Sequence, residues 1–184
     1  MPVTIFLLRA VNLGGASTIK MAALRALCPP LGLRHAATLL QSGNLVACHD
    51  GEARETIALK LEEAIAATHP MRPRVIARSQ AELQDMLTHS PLPAAERQPN
   101  WLLVMPLDAV PADGAIDRLR AWHKGPEEIS LRGRDLYLHY SEGIGRSKLT
   151  NAVIERHLGV QGTARNWTTL TKLAALAQEV AAHG

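Results

Sequence analysis

The sequence predicts an α+β protein made of duplicated ferredoxin-like βαββαβ halves with antiparallel sheets, each half followed by a helix. Three observations predict it. The order of strand-like and helix-like stretches in residues 1–88 recurs in residues 100–184. A Pro-rich, aperiodic stretch, "HSPLPAAERQP" at 89–99, separates the two halves as a linker. The halves also end alike: "RSQAELQDML" from Arg78 and "RNWTTLTKLAAL" from Arg165 share an arginine, a capping residue and apolar positions at matching offsets. The arginines are 165 minus 78, or 87, residues apart, and the hairpin glycines Gly133 and Gly43 are 133 minus 43, or 90, apart. A repeat of that length is too long for a solenoid unit.

The elements of the first half follow in order. "VTIFLLR" at 3–9 is a short apolar run bounded by a Gly-rich turn, the pattern of a buried strand. "MAALRALC" at 21–28 carries Met21, Leu24, Leu27 and Cys28 at helical spacing and stops at Pro29-Pro30. Residues 36–41 and 44–49 flank Ser42-Gly43 as a tight hairpin. Residues 53–68 place Ile57, Leu61, Ala64 and Ile65 on one helical face, with Asp50 or Gly51 in the cap region. "RPRVIAR" at 72–78 is a strand, and Ser79 caps a helix carrying Leu83, Met86 and Leu87.

The second half repeats that order. "WLLVMPL" at 101–107 is a strand, and residues 112–123 form a helix with Ile116, Leu119 and Trp122 inward. Residues 128–132 and 135–140 flank Gly133 as a hairpin. Ser147 opens a helix that ends at Gly159. A short strand near 160–164 follows, and Asn166 caps a last helix carrying Leu170, Leu173, Ala174, Ala177 and Val180.

Composition narrows the function classes. At 47% hydrophobic the chain is globular material, and at 3% aromatic its core must be Leu, Ala, Val and Ile. A net charge of +3 without a run of five like charges does not by itself predict a polyanion partner. "MPVTIFLLRA" has no basic n-region, and its apolar run is too short for a signal peptide or a membrane span, so a cytoplasmic protein with no membrane partner is expected. Cys28 and Cys48, without a CxxC or a Cys/His ladder around them, read as reduced, buried small hydrophobes. No metal is expected. An Asp/Glu pair at a strand end, which would hold Mg²⁺, does not occur, nor does G-x-S-x-G. The eight histidines are scattered and read as surface residues, with His139 and His157 nearest to a cluster.

Antiparallel ferredoxin-like strand order gathers two polar clusters. In the first half the β1–α1 loop and the hairpin share one end, which brings Arg9, Asn12, Gly14, Gly15 and Lys20 to Gln41, Ser42 and Asn44. In the second half the opposite end gathers Gly143, Gly145, Arg146, Ser147, Lys148 and Asn151 with Arg165, Asn166 and Trp167. The stretch "EGIGRSKLTN" from Glu142 to Asn151 reads as a strand, a Gly-rich turn and a helix start. In that geometry backbone N–H groups and the helix dipole favour an anion. It is not a P-loop, because Arg146 follows the second glycine where a lysine is required, and it is not G-x-G-x-x-G, because Lys148 stands in the third glycine's place. The plainer reading is a turn, a Ser147 N-cap and two solvated basic side chains. Sheet aromatics for base stacking are missing: strands 3–9 and 44–49 carry only Phe6, and Tyr137 and Tyr140 point to opposite faces.

Taken together, "LLRAVNLGG", "KMAALRAL", "QSGN", "GRSKLTN" and "TARNWTTLTKL" resemble the signatures of a bacterial family, the domain of unknown function 1697 family, over almost the whole chain. Ala10 stands where the family's opening motif has Gly, and Pro29-Pro30 departs from the family's longer first helix. The resemblance implies a ferredoxin-like α+β fold and a small cytoplasmic protein; it implies no reaction, and the cofactor stays unknown. Three function classes follow. The first is a protein that binds a phosphate- or carboxylate-bearing small ligand through basic helix N-termini, with no recognisable catalytic motif. The second is a nucleic-acid-associated protein whose basic residues meet backbone phosphates. The third is a structural or interaction protein whose polar clusters only cap helices.

Overall fold

The computed structural model describes residues 1–12, 18–92 and 98–184, so Gly14, Gly15 and the middle of the Pro-rich stretch lie outside the described residues. The chain forms two compact units, Met1–Asp85 with Thr171–Gly184, and Met86–Leu170.

The first unit contains β1 (Val3–Leu8), α1 (Met21–Ala26), β2 (Arg34–Leu39), β3 (Asn44–Cys48), α2 (Arg54–Thr68) and β4 (Val75–Ser79), after which α3 (Gln80–Thr88) begins. The second contains β5 (Leu102–Pro106), α4 (Ala115–Trp122), β6 (Glu128–Arg132), β7 (Asp135–His139), α5 (Asn151–Leu158) and β8 (Arg165–Asn166), after which α6 (Trp167–His183) begins. The sheet orders are β2-β3-β1-β4 and β6-β7-β5-β8, antiparallel throughout. Both are the ferredoxin-like order, so the protein is a duplicated ferredoxin-like fold. The register makes the duplication explicit. Ile5 pairs with Val46 and Arg78, while Val104 pairs with Tyr137 and Arg165. The two arginines that end the halves in sequence therefore hold the same place in their sheets.

Alternation along the central strands divides the side chains between two faces. Phe6 and Leu8 of β1, with Leu45 and Ala47 of β3, pack with Leu24, Ile57, Leu61 and Ile65. In the second unit Met105 and Leu107, with Leu136 and Leu138, pack with Ala115, Leu119, Ile154 and Leu158. All six residues of β1 are buried, so both of its faces are covered. Cys48 lies 3.6 Å, by its Sγ, from the Val180 carbonyl of α6, and both cysteines are free and buried.

Local chemistry sets the boundaries. Ser79 and Glu82 form a capping box at α3: the Glu82 N–H donates to Ser79 Oγ at 3.1 Å, and the Ser79 N–H donates to Glu82 Oε2 at 2.8 Å. Asn166 Oδ1 accepts from the Thr169 N–H at 2.8 Å and caps α6. Pro29 and Pro30 end α1 after six residues, and a 3₁₀ turn over Pro29–Leu31 follows.

Several expectations are corrected. The hairpin at Ser42-Gly43 is a four-residue turn, because β2 ends at Leu39 and Leu40 takes a positive φ of 58°. The strand expected near 160–164 is β8 at Arg165–Asn166, with an isolated bridge between Leu107 and Gly162. Both pairings follow one antiparallel register, which Pro106 interrupts; it can accept from the Thr163 N–H at 3.2 Å but has no N–H to return. Trp122, expected inward, is the last residue of α4 and is 40% exposed, because Ala115 and Leu119 carry that helix's buried face. His49 and His139, expected at the surface, are buried. Among the described residues no helix is long and apolar enough to cross a membrane.

Candidate anion-binding cleft

The second polar cluster forms only in part. β5 and β7 pair Leu102 with His139, and β5 and β8 pair Leu103 with Asn166, so the exits of β7 and β8 do share one end of the sheet. The side chains part company there. Arg165 is buried, and its Nη1 donates to Thr163 Oγ1 at 2.6 Å and to the Ala164 carbonyl at 2.9 Å. Desolvation pushes its guanidinium down to about 10. Asn166 is engaged as the α6 cap. Neither lines the cleft that holds Arg146, and β8 and β6 are opposite edges of the sheet.

Ser147 is not the helix N-cap. Gly143 leads into a 3₁₀ turn over Ile144–Arg146, Ser147 ends that turn, and α5 starts only at Asn151. Its cap is Thr150, whose Oγ1 accepts from the Val153 N–H at 3.4 Å. Arg146 and Lys148 therefore stand on a loop ahead of the helix, and Asn151 is an exposed first-turn residue outside the cleft lining. Gly145 is also exposed, within the 3₁₀ turn.

What the loop builds is a cleft of about 530 Å³. One wall is Trp122–Glu127, the connection from α4 to β6; the other is Glu142, Gly143, Arg146, Ser147 and Lys148. A buried pair braces the first wall, and its Glu127 carboxylate reaches the Ser147 hydroxyl of the other. His123 Nε2 lies 2.8 Å from Glu127 Oε2, with both side chains below a tenth exposed. Burial opposes the Glu127 charge, but the Ser147 hydroxyl, its own backbone N–H and His123 outweigh that and hold the carboxyl below its usual range. Ser147 Oγ also accepts from the Leu149 N–H at 3.0 Å, and Tyr140 donates its hydroxyl to the Leu149 carbonyl at 2.9 Å. Burial, with Glu127 nearby, pushes that phenol up to about 12, so it keeps its proton. The loop is thus fixed from both ends. A Cβ on Gly125 would meet the Glu127 carboxylate and come within 2.8 Å of the His123 ring, so a larger residue there would displace this pair.

Around this frame Lys124, Arg146 and Lys148 make no ion pair or hydrogen bond among the described residues, and neither does the Glu142 carboxylate. Three unengaged cations against one unengaged carboxylate give the cleft a net positive lining. A Ser–Glu–His chain in this order is not a nucleophilic triad, because the base beside the hydroxyl is the carboxylate, not the imidazole. Among the described residues no group of three His, Cys, Asp or Glu could hold a metal ion.

The first polar cluster comes together, largely for the sake of the turn itself. Asn12, at φ 56°, exchanges hydrogen bonds with the Ile19 backbone at 2.9 and 3.0 Å and donates to the Gln41 carbonyl. Asn44 Nδ2 donates to the Leu39 carbonyl at 2.9 Å and to Ser42 Oγ at 3.0 Å. The Arg9 N–H donates to the Arg74 carbonyl. Lys20 is exposed at the start of α1 and, with Gln41, lines a second depression beside Arg25 and Thr38.

The Trp122–Glu127 wall was missed in the sequence because the helix expectation ran through Trp122 and Lys124 fell between elements. Its signal was Gly125-Pro126, a breaker pair flanked by His123, Lys124 and Glu127.

The comparisons agree with this fold. A solved structure of a conserved bacterial protein from Streptococcus pneumoniae matches with a TM-score of 0.77 at 20% identity, covering 97% of this chain and 99% of that one. At that identity the likeness is one of fold. No curated protein matches the chain. Residues 1–137 match the family described as "Protein of unknown function (DUF1697)", a span that includes Trp122–Glu127 and stops before the Glu142–Lys148 wall. The chain belongs to the domain of unknown function 1697 family.

Proposed function

We propose that the protein binds a small ligand through a phosphate or carboxylate group in the cleft between Trp122–Glu127 and Glu142–Lys148. The observation that carries this reading is the convergence of Lys124, Arg146 and Lys148, none of them paired with a carboxylate among the described residues, on one cavity of about 530 Å³. That volume is in the range of small-molecule sites. A surface whose cations only confer solubility spreads them and pairs them; this one concentrates them around a preorganised floor. Each charge-assisted hydrogen bond contributes about 1.5–3 kcal/mol. Two or three of them sum to about 3–9 kcal/mol, and an association cost of about 4 kcal/mol or more leaves sub-millimolar affinity as the best case for the anionic group alone.

Backbone phosphates of nucleic acid would meet the same cations, but the sheets offer no stacking platform, since Phe6 and Tyr137 are buried. The test is a thermal-shift screen with inorganic phosphate, sugar phosphates, nucleotides and di- and tricarboxylates. A ligand at 100 times its Kd adds about 2.7 kcal/mol of stability. A shift that Arg146→Ala abolishes supports the reading. Unchanged stability with every anion contradicts it and leaves a protein whose polar groups only hold the fold. Binding confined to oligonucleotides, with a steep salt dependence, moves the account to nucleic acid.

A further inference from the structure

We infer that the ligand of this cleft is a ring-bearing sugar phosphate of the nucleoside monophosphate class, with its planar base stacked on Trp122. The inference rests on the anion reading above and adds the rest of the ligand to it. Size comes first. A cavity of about 530 Å³ takes a drug-sized molecule, and a lone oxyanion would leave most of it to water.

The lining then sorts by chemistry. Lys124, Arg146 and Lys148 suit a phosphate. Glu142 does not, since it repels one; its unengaged carboxylate accepts from hydroxyl or amino donors, which a ribose or a base provides. Trp122 supplies the third component. It ends α4, lines the cleft and leaves an indole 40% exposed to water in a chain with few aromatics. The His157 ring of α5 packs against that indole with centroids 5.1 Å apart, and the His123 ring lies 6.4 Å away, so the indole is held in place. A held, half-exposed indole at the rim of a cationic cleft is a stacking surface for a base, and it favours a π-face of any sequence. Buried His123 and Glu127 fix the neighbouring wall, so little ordering is left for the moment of binding.

The test is calorimetric titration of the full chain with four probes: inorganic phosphate, ribose 5-phosphate, adenosine and adenosine 5′-monophosphate. The wild type is compared with Trp122→Leu and Trp122→Phe. Stacking on one aromatic side chain is worth about 5- to 150-fold in affinity. The expected result is that the monophosphate binds more tightly than ribose 5-phosphate by a factor in that range. Trp122→Leu removes the difference and leaves ribose 5-phosphate unchanged, and Trp122→Phe keeps part of it. Because Trp122 is half-exposed at a helix end, both variants fold, and unchanged ribose 5-phosphate binding verifies that. Equal binding of the two phosphates by the wild type, or an advantage that survives Trp122→Leu, overturns the stacking inference and leaves the anion reading standing. Adenosine binding as tightly as its monophosphate overturns the anion reading and the monophosphate class with it, and leaves only the stacking on Trp122. If none of the four binds at millimolar concentration, both fall.

Discussion

Replacing Gly43 by alanine tests how the first half is built. Gly43 has φ +72°, and a Cβ there would lie 2.5 Å from Val11 Cγ2 and 2.7 Å from Leu8 Cβ. The Leu8 N–H also donates to the Gly43 carbonyl at 2.8 Å, so the turn cannot retreat without losing a backbone bond. The left-handed conformation costs a residue with a Cβ about 1–2 kcal/mol. Forcing a methyl group into packed surroundings costs about 1–3 kcal/mol more. The expected destabilisation is therefore about 2–5 kcal/mol, a large share of the 5–15 kcal/mol that typically holds a domain. Gly133, at the other half's hairpin, is the internal control: its φ is +60°, but a Cβ there meets nothing within 4 Å. Gly133→Ala carries the conformational cost alone, about 1–2 kcal/mol. Urea unfolding followed by circular dichroism reads both. Equal losses in the two variants, or a Gly43→Ala loss below that of Gly133→Ala, would refute the close approach of the turn to Leu8 and Val11.

Three further outcomes are expected. His49 accepts from the Gly51 N–H at Nδ1, 3.3 Å away, which leaves Nε2–H to donate to Thr4 Oγ1 at 3.0 Å. Desolvation lowers its folded pKa against the opposing pull of Asp50 and Glu52, so stability present above pH about 6.5 falls as the pH drops through the folded value. Urea midpoints measured from pH 7.5 to 5 show that slope in the wild type and a shallower one in His49→Gln; identical slopes would contradict it. Burial pushes the Cys28 thiol up to about 11, so a disulfide reagent at pH 8 labels it slowly in the native protein and rapidly in urea, whereas fast native labelling would count against the packing. Thr150→Ala lowers stability by about 0.5–1 kcal/mol through the lost α5 cap, and no change in the urea midpoint would return the cap to Ser147.

The sequence carried the fold more fully than the site, for physical reasons. Periodicity, punctuation and capping are local, and a fold made of βαββαβ units needs little else: Ser79 and Asn166 cap the helices expected of them, and Pro29-Pro30 stop α1. The shared register of Arg78 and Arg165 was visible as a common offset. Long-range packing was not. Arg165 is a cation in sequence but buried against Thr163 in space, and alternation alone does not say whether a strand's second face is covered. Pro106 broke a strand pairing from the opposite strand, where no reading of 160–164 could detect it. The cleft drew one wall from "EGIGRSK", which was legible, and the other from "WHKGPE", which the expectation divided between a helix ending at 123 and an unassigned connection. The basic loop was read as a helix start, and it is not one: α5 begins four residues beyond Ser147, so an anion beside Arg146 and Lys148 would meet side chains and not the helix terminus.

The most direct measurement is a ¹⁵N–¹H NMR titration of the protein with inorganic phosphate, repeated with Arg146→Ala/Lys148→Ala. The account predicts saturable shifts concentrated in 122–127 and 142–148, absent from the depression around Lys20 and Gln41, and lost in the double variant. Shifts centred on Arg165 and Asn166, or on Lys20 and Gln41, or none that saturate, would contradict the assignment of the cleft as the binding site.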